Sequence, residues 1–259
     1  MFMPRCWDNN VGNRLLAALP YADYEALLPD LRPAPFCLRE VIYEPGQPAK
    51  YVYFPTTCVV SLLYTTETGA SADTGLVGND GMLGIPLCLG GETMPSRAVV
   101  QIAGHALSMR ASTFQDEFAR RPGFRNILLR YVQALLTQVS QTAVCNRLHP
   151  MVKRLARRLL LCHDRVHCDE LPMTQEFISQ MLGGRRESVT VAAGYLQDAG
   201  LIRYSRGRIR IINRRGLEDN ACECYQVVKH ECDRLLGTLS PQPVTVQRQA
   251  NGKSYATSA

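Results

Sequence analysis

Residues 171–212, LPMTQEFISQMLGGRRESVTVAAGYLQDAGLIRYSRGRIRII, constrain this chain more than any other stretch. Two short helical patterns flank Gly183-Gly184, and an alternating basic segment follows them. Thr174 is suited to N-cap the first helix, and Glu176 falls in its first turn, where a carboxylate favours the helix dipole. Phe177, Ile178, Met181 and Leu182 give that helix an apolar face. The glycine pair supplies the left-handed backbone of a sharp turn. The second helix is expected from about Arg185 to Gly200, a C′ glycine.

At ~100° per residue, Val189, Ala192, Ala193 and Leu196 of the second helix fall together and should face a core. Arg186, Glu187, Thr190, Val191 and Gly194 fall on the opposite arc. A helix that enters a major groove needs such an outer face, because its N-terminal residues reach the base edges. Arg can donate two hydrogen bonds to guanine, Glu can accept one from cytosine, and a Thr methyl can touch thymine. An ordinary helical hairpin with a solvated charged face would carry a similar pattern. The hairpin that follows tips the reading. Residues 201–204 and 208–212 flank Ser205-Arg206-Gly207, and Ile209 and Ile211 alternate with Arg208 and Arg210, as in a half-buried strand. This is the order of a winged helix-turn-helix, whose wing can lay Arg203, Arg206 and Arg208 along phosphates.

The runs T-Q-E-F-I-S-Q-M-L-G and R-E-S-V-T closely resemble the helix-turn-helix of the Crp/Fnr family of bacterial transcription regulators. The resemblance is specific over 173–212 and extends more weakly over 36–216. It implies an α+β fold: an N-terminal antiparallel β-roll of jelly-roll type, a long dimerisation helix and a C-terminal winged helix-turn-helix. The family's base-reading positions map onto Arg186, Glu187 and Val191. Val191 departs from the family's best-known member, which has a second Arg there, so the operator should differ at that contact. The expected DNA-contacting set is Thr174, Gln175, Arg185, Arg186, Glu187, Ser188, Thr190, Val191, Arg203, Arg206 and Arg208. Double-stranded operator DNA, a second copy of the chain and RNA polymerase are the implied partners.

Charge agrees with this reading. Residues 148–216 hold 13 Lys and Arg against six Asp and Glu, a balance of +7 where the whole chain carries +6. A basic module on a near-neutral body is the footprint of a nucleic-acid binder. The start MFMPRCWDNN has no long apolar run, so no signal peptide is expected. No window offers the ~18 apolar residues of a membrane span. The 10 cysteines follow no disulfide-framework spacing and read as reduced thiols of a cytoplasmic protein.

Four parts are expected: a β-roll sensor domain over 14–120, a dimerisation helix over 121–147, the DNA-binding domain over 148–216, and a C-terminal helix and tail over 217–259. Residues 14–28 read as short helices lidding the β-roll, and 238–259 as disordered. Strand candidates at 38–43, 51–54, 58–64, 74–77, 98–102 and 106–109 alternate with Gly/Pro turns. Cyclic-AMP-binding relatives carry a Gly-Glu-Leu turn for the ribose and an Arg-Ser pair for the phosphate. Here no Glu follows Gly84, and Ser96-Arg97 stand in reversed order. Gly81, Gly84, Ser96 and Arg97 remain the candidate effector pocket, with Arg97 able to meet an anion, but the residues argue against cyclic AMP. A jelly-roll metalloenzyme would need clustered His with a carboxylate, and His105 is the only His in the β-rich part, so no enzyme is expected.

Leu128, Val132, Leu135, Val139 and Thr142 recur at a 4-3-4-3 spacing. They form an a/d seam that either packs on the chain's own β-roll or joins two subunits, and the resemblance favours the dimer. Two recognition helices ~34 Å apart would then match one turn of palindromic DNA. A hinge is expected at 146–150, followed by a helix over 151–162 with Lys153, Arg154, Arg157 and Arg158 outside. Cys222, Cys224, His230 and Cys232 put four soft ligands within eleven residues, open to a metal reading or to plain thiols on one helix over 217–236. The family's oxygen-sensing branch carries an N-terminal cysteine cluster. Only Cys6 stands there, so an iron–sulfur cluster is not supported.

Overall fold

The computed structural model describes residues 12–237 apart from Thr68, Ala70 and His167. Cys6 and the tail expected to be disordered lie outside the described residues. Asn13 starts the first helix, α1 (Arg14–Ala17), by accepting from the Leu15 and Leu16 amides at 3.0 and 3.3 Å. Its amide group donates to Pro55 O and Gly81 O at 2.8 and 2.9 Å, which ties α1 to the β-roll beneath. With α2 (Tyr21–Leu27), it buries Leu15, Leu16 and Leu27, as a lid should.

The β-roll follows. Its strands are β1 (Arg32–Phe36), β2 (Val41–Tyr43), β3 (Tyr51–Pro55), β4 (Val59–Thr65), β5 (Ser71–Val77), β6 (Arg97–Ile102) and β7 (Gly104–Arg110). They pair antiparallel in two sheets, ordered β1-β7-β3 and β2-β6-β4-β5. Phe36, Val60, Val77, Leu83, Val100 and Ala106 share the core between them. β1 escaped the strand pattern because Pro33 and Pro35 interrupt it. It survives as an edge strand, where only one side of the backbone must pair.

Helix α3 (Ala111–Arg120) leads into the long helix α4 (Pro122–Leu148). Leu128, Tyr131, Val132 and Ala134 of α4 pack into one core with α1, α2 and the β-roll. His149 and Pro150 alone link α4 to α5 (Met151–Val166), since Pro150 cannot donate to continue the first helix. Then come β8 (Glu170–Pro172), α6 (Gln175–Leu182), α7 (Arg186–Asp198), β9 (Ile202–Ser205) and β10 (Arg208–Ile211), with a sheet ordered β8-β10-β9. No helix among the described residues is long and apolar enough to cross a membrane.

The expected solvated face of α5 is corrected by the structure: Arg157 and Arg158 are buried, 6% and 7% exposed. Arg158 reaches out of the helical half into the β-roll, donating to Asp73 Oδ2 at 2.7 Å, Ser61 Oγ at 2.8 Å and Gln101 Oε1 at 2.5 Å. Burial works against its charge, and the Asp73 carboxylate outweighs it, so the guanidinium is held above its ordinary value. Arg165 pairs with Asp80 at 2.7 Å and donates to Gln138 of α4 at 3.0 Å. Around these pairs the core of the helical half runs on into Val59, Leu76 and Ile102 of the β-roll.

The single helix expected over 217–236 is two. α8 (Arg214–Asn220) starts early because Asn213 caps it, accepting from the Gly216 amide at 2.9 Å. It stops at Asn220, a weak helix former, and α9 (Cys224–Leu236) begins after a break at Ala221, Cys222 and Glu223. α9 then runs back along α4, where Gln133 donates to Glu231 at 3.1 Å.

Candidate nucleic-acid interface

Thr174 Oγ1 accepts from the Phe177 amide at 3.2 Å and sets the start of α6. Gly183 ends that helix in the left-handed conformation at φ 58°. At Gly184 a Cβ would meet only the terminal methyl of Met151, the flexible end of a half-buried α5 side chain. The turn aims α7 outward. Val189, Ala192, Ala193 and Leu196 are buried at 3% exposure or less, which leaves the opposite arc to solvent.

On that arc Arg185, Arg186, Glu187, Ser188, Thr190 and Val191 line the outer side of the helix, and Val191 is 72% exposed. Thr190 Oγ1 donates to Arg186 O at 3.0 Å, which turns its methyl away from the backbone. Arg186 pairs with Glu176 of α6 at 3.1 Å across the turn. Both side chains are solvated, so this pair is weak and can yield to a base. Thr174 and Gln175 are half-buried at the head of α6. One turn beyond Val191, Tyr195 is 56% exposed on the same face. Spacing alone does not single it out, because an aromatic residue on a helix is as readily core as surface.

The wing is β9, Arg206-Gly207 and β10, with both turn residues at positive φ, 49° and 74°. Two positive φ values make the tight turn whose twist matches a hairpin. Arg203, Arg206 and Arg208 are exposed along it, and Arg208 also pairs with Glu170 of β8 at an exposed site. The recognition face and the wing therefore present cations and hydrogen-bonding groups outward from a rigid apolar base.

Both glycines of the candidate effector set are packed against neighbouring side chains. Gly81 lies under the Tyr131 ring of α4, and Gly84 (φ 107°) lies against Val52, where a Cβ would sit 2.7 Å from the Val52 side chain. These glycines permit close packing. Tyr131 OH donates to Met82 O at 3.3 Å, and burial pushes its phenol above the ordinary range. Ser96 is buried, whereas Arg97 lies half-exposed on β6 and pairs with Glu44 at 2.9 Å. The carboxylate that would meet a ribose is missing here, and Arg97 is held only by a solvated ion pair that an anion could displace.

The seam on α4 also needs correction. Leu128 and Val132 are buried in the chain's own core, and Leu135 packs beside them. Thr142 Oγ1 accepts from Arg157 at 3.1 Å, so it too faces inward. Val139 is half-buried. The outward apolar residues are Leu129, Leu136, Val144 and Leu148, with Leu136 62% exposed. Because 4-3-4-3 spacing also describes a stripe that packs on a sheet, periodicity does not say which face meets a partner.

The four C-terminal ligand candidates separate. Cys222 and Cys224 turn inward at the α8–α9 break, whereas His230 and Cys232 lie along α9, Cys232 packed against the apolar cores. Cys145 of α4 and His149 take their places beside Cys222 and Cys224. No spacing rule could reveal those two, because they precede Cys222 by more than 70 residues.

A β-roll bound through a long helix to a winged helix-turn-helix defines a two-domain regulator architecture. A model of the cyclic nucleotide-binding domain matches residues 35–121, and a model of the Crp-like helix-turn-helix domain matches 153–219. The chain belongs to the Crp/Fnr family of transcriptional regulators. The global nitrogen regulator of Synechococcus elongatus is 25% identical over 193 residues, covering 67% of this chain and 82% of that protein. Among solved structures, a CRP-family transcriptional regulator from Thermus thermophilus matches with a TM-score of 0.61 at 19% identity, over 73% of this chain and 96% of that one. FixK2 from Bradyrhizobium japonicum matches with a TM-score of 0.62 at 17% identity, over 74% and 98%.

Proposed function

We propose that this chain is a cytoplasmic, homodimeric, sequence-specific DNA-binding regulator, with no catalytic activity of its own. The observation that carries the reading is the solvated N-terminal end of α7, with Arg186, Glu187, Thr190 and Val191 outward and a buried apolar face behind them. Arg186 and Glu187 read base edges in the major groove, Val191 offers an apolar contact where an Arg would read guanine, and Arg203, Arg206 and Arg208 hold phosphates. Residues 148–216 act as the DNA-binding domain, 14–120 as the sensor and 121–147 as the dimer helix, with 217–259 appended. RNA polymerase is the partner through which such a dimer would act.

The second copy docks on the α4 stripe of Leu129, Leu136 and Val144, the face the chain leaves bare. Burying one such leucine contributes about 1.5–3 kcal/mol. The sensor responds to something other than cyclic AMP. Selection of bound fragments from random-sequence duplexes, read by gel shift, tests the whole reading. An enriched palindrome with half-sites one helical turn apart is expected. Enrichment of no sequence, or binding indifferent to salt, would refute it.

A further inference from the structure

Cys145, Cys222 and Cys224 form a buried cluster of their own, apart from the three apolar cores. Buried cysteines ordinarily act as small hydrophobes among Leu, Ile and Val side chains. Here they face one another and a histidine. Cys145 Sγ lies 3.5 Å from Cys222 Sγ, and Cys224 Sγ lies 3.6 Å from His149 Nδ1. All four donor atoms fall within 4.8 Å of one another.

The two short separations match opposite edges of a small tetrahedron, and the remaining ones lie within 4.8 Å. Sulfur ligands at about 2.3 Å from a central ion, and a nitrogen at about 2.0–2.1 Å, stand roughly 3.5–3.8 Å apart. An iron–sulfur cluster spreads its thiolates wider, because several irons lie between them. We propose that Cys145, His149, Cys222 and Cys224 bind one zinc-type divalent ion in tetrahedral Cys3His coordination, tying the end of α4 to the α8–α9 junction.

The surroundings suit that ion. His149 Nε2 meets Glu223 Oε1 at 3.3 Å, the carboxylate–histidine arrangement that orients a metal-bound imidazole and leaves Nδ1 toward the thiols. Three thiolates, a neutral histidine and a divalent ion sum to one negative charge. The buried Arg157 guanidinium acts on all three cysteines, and among the described residues no carboxylate pairs with it. It is the counter-charge the loaded site requires. The helix break is also explained. In an unbroken helix Cys222 and Cys224 would point to opposite sides, whereas the break at 221–223 lets both turn inward.

Placed at His149, beside the two-residue link between α4 and α5, the ion would hold the hinge and fasten α9 along α4. An effect on DNA binding rests on the proposed function; metal binding does not. Full-length protein purified without chelator should carry one zinc per chain by elemental analysis. Stripped, reduced protein titrated with cobalt(II) should develop the visible bands of tetrahedral cobalt and thiolate charge-transfer absorption. Cys224→Ser and Cys145→Ser should weaken cobalt binding at least tenfold, whereas His230→Ala and Cys232→Ser should leave it unchanged. Zinc should slow amide exchange through α9. The site is refuted if the reduced wild type shows no tetrahedral thiolate spectrum, or if Cys232→Ser abolishes it. Isolation of Cys145–Cys222 as a disulfide that excludes the metal would refute it too. The cobalt spectrum needs no DNA, so failure to select an operator would leave this result standing.

Discussion

Arg186 and Arg206 are both exposed arginines of the DNA-binding half, yet they should fail in different ways. Arg186 stands at the first position of α7, able to donate twice to one base. Arg186→Ala should cost about 1–3 kcal/mol of operator affinity and relax preference at one base pair, read by competition against single-base operator variants. Arg206 sits at the tip of the wing with φ 49°, a conformation that Asn or Gly adopts more readily. Arg206→Asn should therefore hold or raise stability in urea unfolding. It should also weaken all DNA sequences alike and flatten the salt dependence by about one counterion. Unchanged discrimination in Arg186→Ala would remove Arg186 from base reading.

Individual helices are built from local rules, and their junctions can be tested one at a time. At the α6–α7 turn, a Cβ on Gly183 meets nothing within 4 Å, so Gly183→Ala carries only the left-handed backbone penalty of about 1–2 kcal/mol. Gly184→Ala meets only the terminal methyl of Met151, which can swing aside, so it should cost less than Gly183→Ala. Comparing urea midpoints of the two variants separates backbone strain from packing. On α4, Leu136→Glu places a charge on the bare stripe and should leave a folded monomer in sedimentation. Leu128→Glu, in the buried row, should unfold the chain instead. A dimer that persists in Leu136→Glu would move the interface off this stripe.

Across the whole molecule, Arg158–Asp73 and Arg165–Asp80 join the DNA-binding half to the β-roll through buried charge. Removing one partner of such a pair strands the other, at a cost of about 3–5 kcal/mol. Asp73→Asn should lower stability by that order and increase protease cleavage at the α4–α5 link, as the halves come apart. Arg158→Met alone strands the Asp73 carboxylate in turn, whereas the double variant Asp73→Leu/Arg158→Met leaves no stranded charge and should be milder than either single change. A loss in the double variant as large as in the single ones would mean that packing, and not the stranded charge, dominates at this junction.

Residues within about four positions of one another carried most of what was legible beforehand: the Thr174 cap, the Gly183 turn, the buried and exposed arcs of α7, and the alternating wing. Hydrogen bonds and side-chain neighbours on a helix or hairpin span just that range, so spacing alone reveals them. The β-roll was legible as texture, except where prolines concealed an edge strand. Contacts between distant segments had no such signature. Two arginines of the basic stripe on α5 proved to be buried, Arg158 because Asp73 and Gln101 wait on other strands. The heptad on α4 faced its own sheet. Cys145 and His149 met Cys222 and Cys224 only because a helix broke and folded back. Local chemistry set the elements; which of their faces became interior depended on what tertiary packing brought opposite, and burial of charge or thiol is decided by that partner.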